Sequence, residues 1–416
     1  MLRSGGAAIH MNQVTFEDIK VFLPDNPDIK KLLKAKVRAP FDDVTLEFLD
    51  TVSKVLFNDP EAKAFPDIVT LAFWIRKSSL RKLKAEYMPR LGNGTVIGRG
   101  IVFHITPSNV AVNFMYSLIS SMLAGNNNII KLAPKNHEQE GIIIRAISKA
   151  LEDPKFSEIK DGLYIIKYGI NKENTDFFSS ICDVRIVWGG DATIAAVRNS
   201  PLPPRSTEIL FADRYSFSTI DAKAVIECAD LSSIAVKFFN DTYLMDQNAC
   251  SSPRLVIWRG DQNTIDRAKE LFWNSVHKVV LERYQLAPIL AIDKYTQFCR
   301  NAIQNKKTTL TKGPDNYIYR VGIGELPEDV ENIRCAGGYF VETQVEDLSE
   351  ISYIVSKKYQ TLTYYGYEHK ELVDFVLDNN LGGIDRIVPL GSALDFGLIW
   401  DGYDLIRSMS RECAVI

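Results

Sequence analysis

One thiol stands apart in this chain. Cys250 lies in the run Asp246-Gln247-Asn248-Ala249-Cys250-Ser251-Ser252-Pro253, where small and polar groups surround the sulfur and a proline ends any helix. Thiols that only pack usually sit among apolar neighbours. A nucleophilic thiol needs nearby donors, partial access and small residues that let a substrate approach. The run by itself leaves both a nucleophile and a buried structural cysteine open, and the rest of the chain favours the nucleophile. The other five cysteines are Cys182, Cys228, Cys299, Cys335 and Cys413. Their wide scatter offers no zinc knuckle and no redox pair, and it fits a reducing cytoplasm. The five histidines show no metal-ligand spacing, so no metal is expected. His104 is the histidine nearest the turn Pro107-Ser108-Asn109. It reads either as an acid or proton relay or as a hydrogen-bonded histidine buried in a strand. Asn109 alone reads as the cap of the helix that follows Pro107.

The elements that must carry these groups follow from periodicity. Phe41 to Tyr87 is mostly helical, with Leu46, Leu49, Val52 and Leu56 near the 3.6 spacing. Ile101 to Ile105 reads as a buried strand, and Asn113 to Ala124 as a helix ended by Gly125. Strands at 128–132, 163–168 and 183–188 alternate with a helix near 140–151. Such alternation gives parallel βαβ units and an open α/β sheet in the first half. A helix follows Leu231, then Cys250 and a strand at 254–258. Further on come a helix at 263–284, strands near 339–342 and 361–365, and a helix through Leu377. The four glycines from Gly92 to Gly100 do not make a GxGxxG after a strand, so they are no Rossmann fingerprint.

The bulk numbers narrow the function. A chain of 416 residues is long enough for two domains. A net charge of −3 and the lack of a basic tract argue against a nucleic acid or anionic lipid partner. No apolar run approaches the ~20 residues of a membrane helix. Residues 1–11 are Gly/Ala-rich without a signal-peptide core and read as a disordered tail or an added remnant.

Read together, several short segments resemble the aldehyde dehydrogenase superfamily. They are Pro107-Ser108-Asn109, Gly125-Asn126, Ile130-Lys131-Leu132-Ala133-Pro134, Val187-Trp188-Gly189-Gly190-Asp191, and Cys228-Ala229-Asp230-Leu231 through Phe239-Asn240 to Gln247 and Cys250. Gly391-Ser392-Ala393-Leu394-Asp395-Phe396 stands where that superfamily has a Pro-Phe-Gly-Gly segment. The run around Cys250 more closely resembles the acyl-CoA reductase family, which includes the fatty acid reductase subunit of bacterial bioluminescence. Gly383-Ile384-Asp385-Arg386-Ile387-Val388-Pro389 and Trp400-Asp401-Gly402-Tyr403-Asp404-Leu405 agree with that family.

The resemblance implies an α/β, aldehyde-dehydrogenase-like fold with the active site between two domains. A Rossmann-type cofactor domain would take residues 12–220 with the tail 391–416, and a catalytic α/β domain residues 221–390. It implies NADPH-dependent reduction of a fatty acyl thioester to the aldehyde through an acyl-Cys250 intermediate. Cys250 would need a thiol acidified by nearby donors. The Asn109 amide and the Cys250 N–H would face the oxyanion. Pro107, Lys131, Lys135, Gly189 and Gly190 are the residues expected at the cofactor. Where NAD-preferring relatives place a Glu for the ribose hydroxyl, this chain has Pro134 followed by Lys135, which favours a 2′-phosphate. The plain alternatives are an ordinary surface charge at Lys135 and an ordinary turn at Gly189-Gly190.

The water-activating Glu of the superfamily would fall near Tyr215 or Ser216, neither of which is a carboxylate. Glu208 lies too early and receives no role. The family further implies homo-oligomers and an acyl-protein synthetase partner that delivers the acyl-carrier thioester. Two rival readings stay open: a Cys-dependent acyltransferase or thioesterase with His104 as base and no nicotinamide, and a binding protein on a decayed reductase fold.

Overall fold

Strands with apolar residues at successive positions cannot face water, so they pair into sheets covered on both sides. Ile101–Ile105 and Val184–Trp188 are of this kind apart from His104 and Arg185, and both are buried at every position. The computed structural model describes residues 18–414 other than Asn93. The tail expected at 1–11 lies outside the described residues. By contacts the chain divides into two units. One runs through Ala212 and resumes at Tyr403; the other is Asp213–Gly402.

The first unit is built on a six-stranded sheet. Its order is Lys20–Leu23, Leu163–Lys167, Asn127–Leu132, Ile101–Ile105, Val184–Trp188, Thr207–Phe211. All neighbours are parallel except the edge strand Lys20–Leu23, which runs antiparallel to Leu163–Lys167. From Ile101–Ile105 the chain winds first to one side and then, with Val184–Trp188, to the other. The order therefore reverses between these two strands, and ligands of open parallel sheets bind outside the carboxyl ends at such a reversal. Helix Asn113–Leu123 ends at Gly125, whose φ is +91° and where a Cβ would stand 2.1 Å from the Arg38 carbonyl oxygen. Only glycine fits that close approach. A late segment completes this unit: Ser410–Cys413 pairs antiparallel with Thr95–Gly98, and Asn126 Nδ2 donates to the Met409 carbonyl at 2.9 Å.

The second unit holds a seven-stranded sheet in the order Thr309–Lys312, Tyr319–Gly322, Tyr339–Val345, Leu255–Arg259, Tyr215–Asp221, Tyr359–Tyr365, Arg386–Pro389. Its neighbours are parallel apart from the antiparallel first pair. Successive side chains of Leu255–Arg259 feed opposite cores: Leu255 and Ile257 join Val341 and Leu362, while Val256 and Trp258 join Phe238 and Phe340. The segment from Gly391 was expected to return to the cofactor domain, but the return comes only at Tyr403. Residues just after Gly391 stay with the second unit because buried Asp241 accepts the Gly391 N–H at 2.7 Å and the Ala393 N–H at 2.8 Å. The other division, expected after residue 220, falls at Ala212/Asp213.

Candidate active site

The thiol loop is shaped by a helix that is forced to stop. Asp230 caps helix Leu231–Thr242, accepting from the Ser233 N–H at 3.1 Å. A short 3-10 turn follows, and then Asp246 and Gln247 take left-handed backbone angles, φ +49° and +61°. Two successive residues in that region cannot continue a helix, so the chain turns and Cys250 falls on a loop.

Side chains then fix that loop. Gln247 is fully buried and all its polar atoms are used. Its Nε2 donates to the carbonyls of Pro253 and Tyr339 at 2.9 and 3.0 Å, and its Oε1 accepts the N–H groups of Gly338 and Tyr339, both at 3.1 Å. Arg254 Nη2 donates to the Gln247 carbonyl at 2.7 Å. Ser216 Oγ donates to the Cys250 carbonyl at 2.7 Å and accepts the Thr361 N–H at 3.2 Å. Residues 216, 254, 339 and 360–361 lie at the amino ends of their parallel strands, so the thiol stands at the amino edge of this sheet.

The Cys250 residue is half-buried. Its thiol was expected to be acidified, and the structure corrects this. Burial pushes the group up to about 11, and the Asp401 carboxylate adds to the rise. The Gln360 amide, within hydrogen-bonding reach of the sulfur, and the Arg254 guanidinium oppose it but do not prevail. Polar neighbours in sequence did not become solvent around the sulfur: Ser251 and Ser252 are themselves buried. The positions expected for a water-activating carboxylate carry none. Ser216 is committed to the loop, and Tyr215 is fully buried. Glu208 is bound in an ion triad, accepting from Arg185 at 2.7 and 2.9 Å and from Arg198 at 3.0 Å.

In the first unit the sequence-predicted residues gather at one edge. Pro107 and Asn109 follow Ile101–Ile105, Gly189 and Gly190 follow Val184–Trp188, and Lys131 is the second-last residue of Asn127–Leu132. All lie at the carboxyl ends of the strands that flank or adjoin the order reversal. Asn109 is exposed on a bend. It is not a helix cap, because the next helix begins at Asn113 with Val112 in the cap position. Gly190 is the cap of helix Asp191–Arg198 and has nothing within 4 Å of where a Cβ would be, which leaves room beside the helix N-terminus.

Among the described residues, the Lys131 ammonium has no carboxylate partner. It lies 4.7 Å from the centre of the Tyr168 ring, and burial, with Lys167 beside it, holds its pKa below the ordinary value. Lys135 is exposed, and its carbonyl accepts from Lys167 Nζ at 3.0 Å. Lys167 was not singled out by sequence reasoning. This edge fits a phosphate-bearing ligand: room at a helix N-terminus, a cation with no carboxylate partner among the described residues, and no acid at 134 or 135.

His104 is not a free acid or base. It is fully buried, with Nε2 3.0 Å from Asn128 Oδ1 and Nδ1 2.7 Å from Ser117 Oγ. Trp188 Nε1 donates to the same Ser117 oxygen at 3.0 Å, which leaves the Ser117 proton for Nδ1. Burial holds the imidazole down to about 3. No cluster of His, Cys, Asp or Glu suited to a metal occurs among the described residues. Sequence reasoning missed Gln360 and Asp401 as neighbours of the thiol; both lie far from it in the chain, and although Asp401 falls in a segment that carries the family resemblance, nothing local ties either to the sulfur.

Comparisons with known proteins give the family and the fold. The family model described as "Acyl-CoA reductase (LuxC)" matches residues 76–412. A long-chain acyl-protein thioester reductase of Aliivibrio fischeri is 25% identical over 303 residues, covering 70% of this chain; the chain spans 58% of that relative's length. Among solved structures, an NAD-dependent benzaldehyde dehydrogenase from Corynebacterium glutamicum superposes with a TM-score of 0.62 at 15% identity, over 92% of this chain and 87% of that one. An NAD-dependent aldehyde dehydrogenase from Sinorhizobium meliloti gives 0.66 at 11% identity, over 93% and 85%. The fold is that of the aldehyde dehydrogenases.

Proposed function

Because the chain belongs to the acyl-CoA reductase (LuxC) family, we propose that it reduces a long-chain acyl thioester, of CoA or of a protein, to the aldehyde. The observation that carries this reading is Cys250 on a loop locked by Gln247, Arg254 and Ser216. A nucleophile held this way spends little entropy in reaching its attack geometry. Cys250 Sγ forms a bond to the acyl carbon, the thiol of the donor leaves, and the acyl group rests on the enzyme. The Asn109 amide and the Cys250 N–H are the donors for the negative charge that develops on the carbonyl oxygen. When the aldehyde departs, the carbon–sulfur bond breaks and the sulfur regains a proton. With Tyr215 and Ser216 where an aldehyde dehydrogenase would have its base, and Glu208 tied to two arginines, water is not activated from those positions.

A nicotinamide dinucleotide, when bound, supplies the hydride for the reduction. Pro107, Lys131, Gly189 and Gly190 would hold it at the carboxyl edge of the first sheet. Lys131 and Lys135, with Pro134 in place of an acid, favour the 2′-phosphate of NADPH. The reading includes a homo-oligomer and an acyl-protein synthetase that supplies the thioester. The rival with His104 as catalytic base loses its base, since both ring nitrogens are taken.

Long-chain acyl-CoA offered without a nicotinamide should leave its acyl mass on the Cys250 peptide, and NADPH should then discharge it as aldehyde. Cys250→Ala should abolish labelling while NADPH binding persists. Labelling of the mutant, or release of free acid with no NADPH consumed, would overturn the proposal.

A further inference from the structure

Gln360 is fully buried near the start of strand Tyr359–Tyr365. A buried amide needs partners, and this one has an unusual pair. Its Nε2 donates to Asp401 Oδ1, and the amide is also within hydrogen-bonding reach of the Cys250 sulfur. An independent link brings this part of the strand to the thiol loop: the Thr361 N–H donates to Ser216 Oγ, which donates to the Cys250 carbonyl. Asp401 is fixed by its backbone. Its φ is +48°, and Gly402 follows at +75° with Asp385 Oδ1 2.9 Å from where a Cβ would stand. The charged groups facing the sulfur are the Asp401 carboxylate and the guanidinium groups of Arg254 and Arg386. Both arginines direct their hydrogen bonds elsewhere: Arg254 to the carbonyls of Gln247 and Ala249, Arg386 to those of Ser392, Ala393 and Asp395.

We propose that Gln360 is the side-chain donor to the Cys250 thiolate and that Asp401 is the positioning residue that aims it. One amide N–H is taken by Asp401, which leaves the other for the sulfur. Asp401 thus has two opposed effects. It orients the donor that favours the thiolate, and its own charge disfavours the thiolate. The assignment rests on the reading of Cys250 as the acyl acceptor, and it deepens that reading by naming what sets the nucleophile's reactivity.

The test is alkylation of Cys250 by iodoacetamide in the full chain, without acyl donor or cofactor, followed by peptide mass spectrometry from pH 7 to 9. Gln360→Met removes the donor and should slow alkylation about threefold to tenfold at each pH. Asp401→Asn keeps an acceptor for Gln360 but removes the charge, and should speed alkylation by a similar factor. A merely structural role would loosen the loop and speed both variants. Should Gln360→Met fail to fold, Gln360→Asn withdraws the amide by one methylene and must also slow the reaction. Alkylation at the wild-type rate or faster in a folded Gln360 variant would overturn the proposal. The two readings fail separately: an acyl mass on another residue sinks the proposed function, while normal alkylation beside a normal acyl-Cys250 sinks only the donor assignment.

Discussion

Glu208→Ala separates a structural acid from a catalytic one. The Glu208 carboxylate lies across the sheet from Arg185, its register partner, and takes two of that guanidinium's hydrogen bonds. The Arg185 side chain is only 2% exposed, and its remaining bonds go to neutral oxygens of Ser179 and Ser200. Deleting the carboxylate leaves the buried guanidinium without a hydrogen-bonded counter-charge, with only the Asp176 carboxylate acting on it through space, a loss of up to about 3–5 kcal/mol. Arg198 is 59% exposed and adds little. For a unit of this size each kcal/mol moves the melting point by about 2–4 °C, so the first unit should melt roughly 6–20 °C lower. The assay is calorimetry beside acylation of Cys250, measured well below the transition and normalised to folded protein. Acylation should stay within about twofold of wild type, and Glu208→Gln should recover part of the melting point by keeping an acceptor. A Glu208→Ala protein that melts normally but no longer turns over would refute the structural role.

Three further outcomes follow from the geometry. Asn109→Ala should lower the maximal rate of aldehyde formation by roughly 10²–10³-fold, and no cap loss of about 1 kcal/mol should appear in its melting curve, because Val112 holds the cap position. Lys131→Ala should weaken NADPH by about tenfold more than NADH in a binding titration; equal losses would remove Lys131 from the 2′-phosphate. Burial holds His104 to about 3 against its ordinary 6.5, so within that window the unfolded chain binds a proton that the folded chain does not. Stability must therefore fall as pH drops, and His104→Gln should make the loss between pH 6.5 and 4.5 smaller by about 2–3 kcal/mol in chemical denaturation.

The sequence showed most where chemistry is local. Strand Ile101–Ile105 and helix Asn113–Leu123 could be placed because an apolar run and a glycine stop are short-range signals. The edge strand Lys20–Leu23 and the pair Thr309–Lys312 with Tyr319–Gly322 escaped, since short partly exposed strands lack a strong period. Thr207–Phe211 and Tyr215–Asp221 escaped as strands too, although Glu208, Tyr215 and Ser216 within them stood out as single residues. The Cys250 run stood out in the sequence as a candidate, but its electrostatics did not. Gln360 and Asp401, which bond to each other, are 41 positions apart, one on a sheet strand and the other on a turn, and only the fold brings both to the sulfur. Asn109 alone read as a helix cap and became a site candidate only through the family resemblance, and the cap reading failed because the next helix begins at Asn113.

The late return of the chain at Tyr403 inverts the order in which the two units can be finished during synthesis. Domains made by a ribosome usually close in the order in which they emerge. Here the unit begun first is the one that finishes last, because Thr95–Gly98 waits for Ser410–Cys413 and Asn126 waits for the Met409 carbonyl. The second unit is continuous from Asp213 to Gly402 and has all its strands before that closing segment is made. On the ribosome, then, the half that carries the thiol can assemble while the six-stranded half still lacks its last strand, so a premature stop a few residues before Ser410 would yield a folded thiol unit attached to an unfinished one.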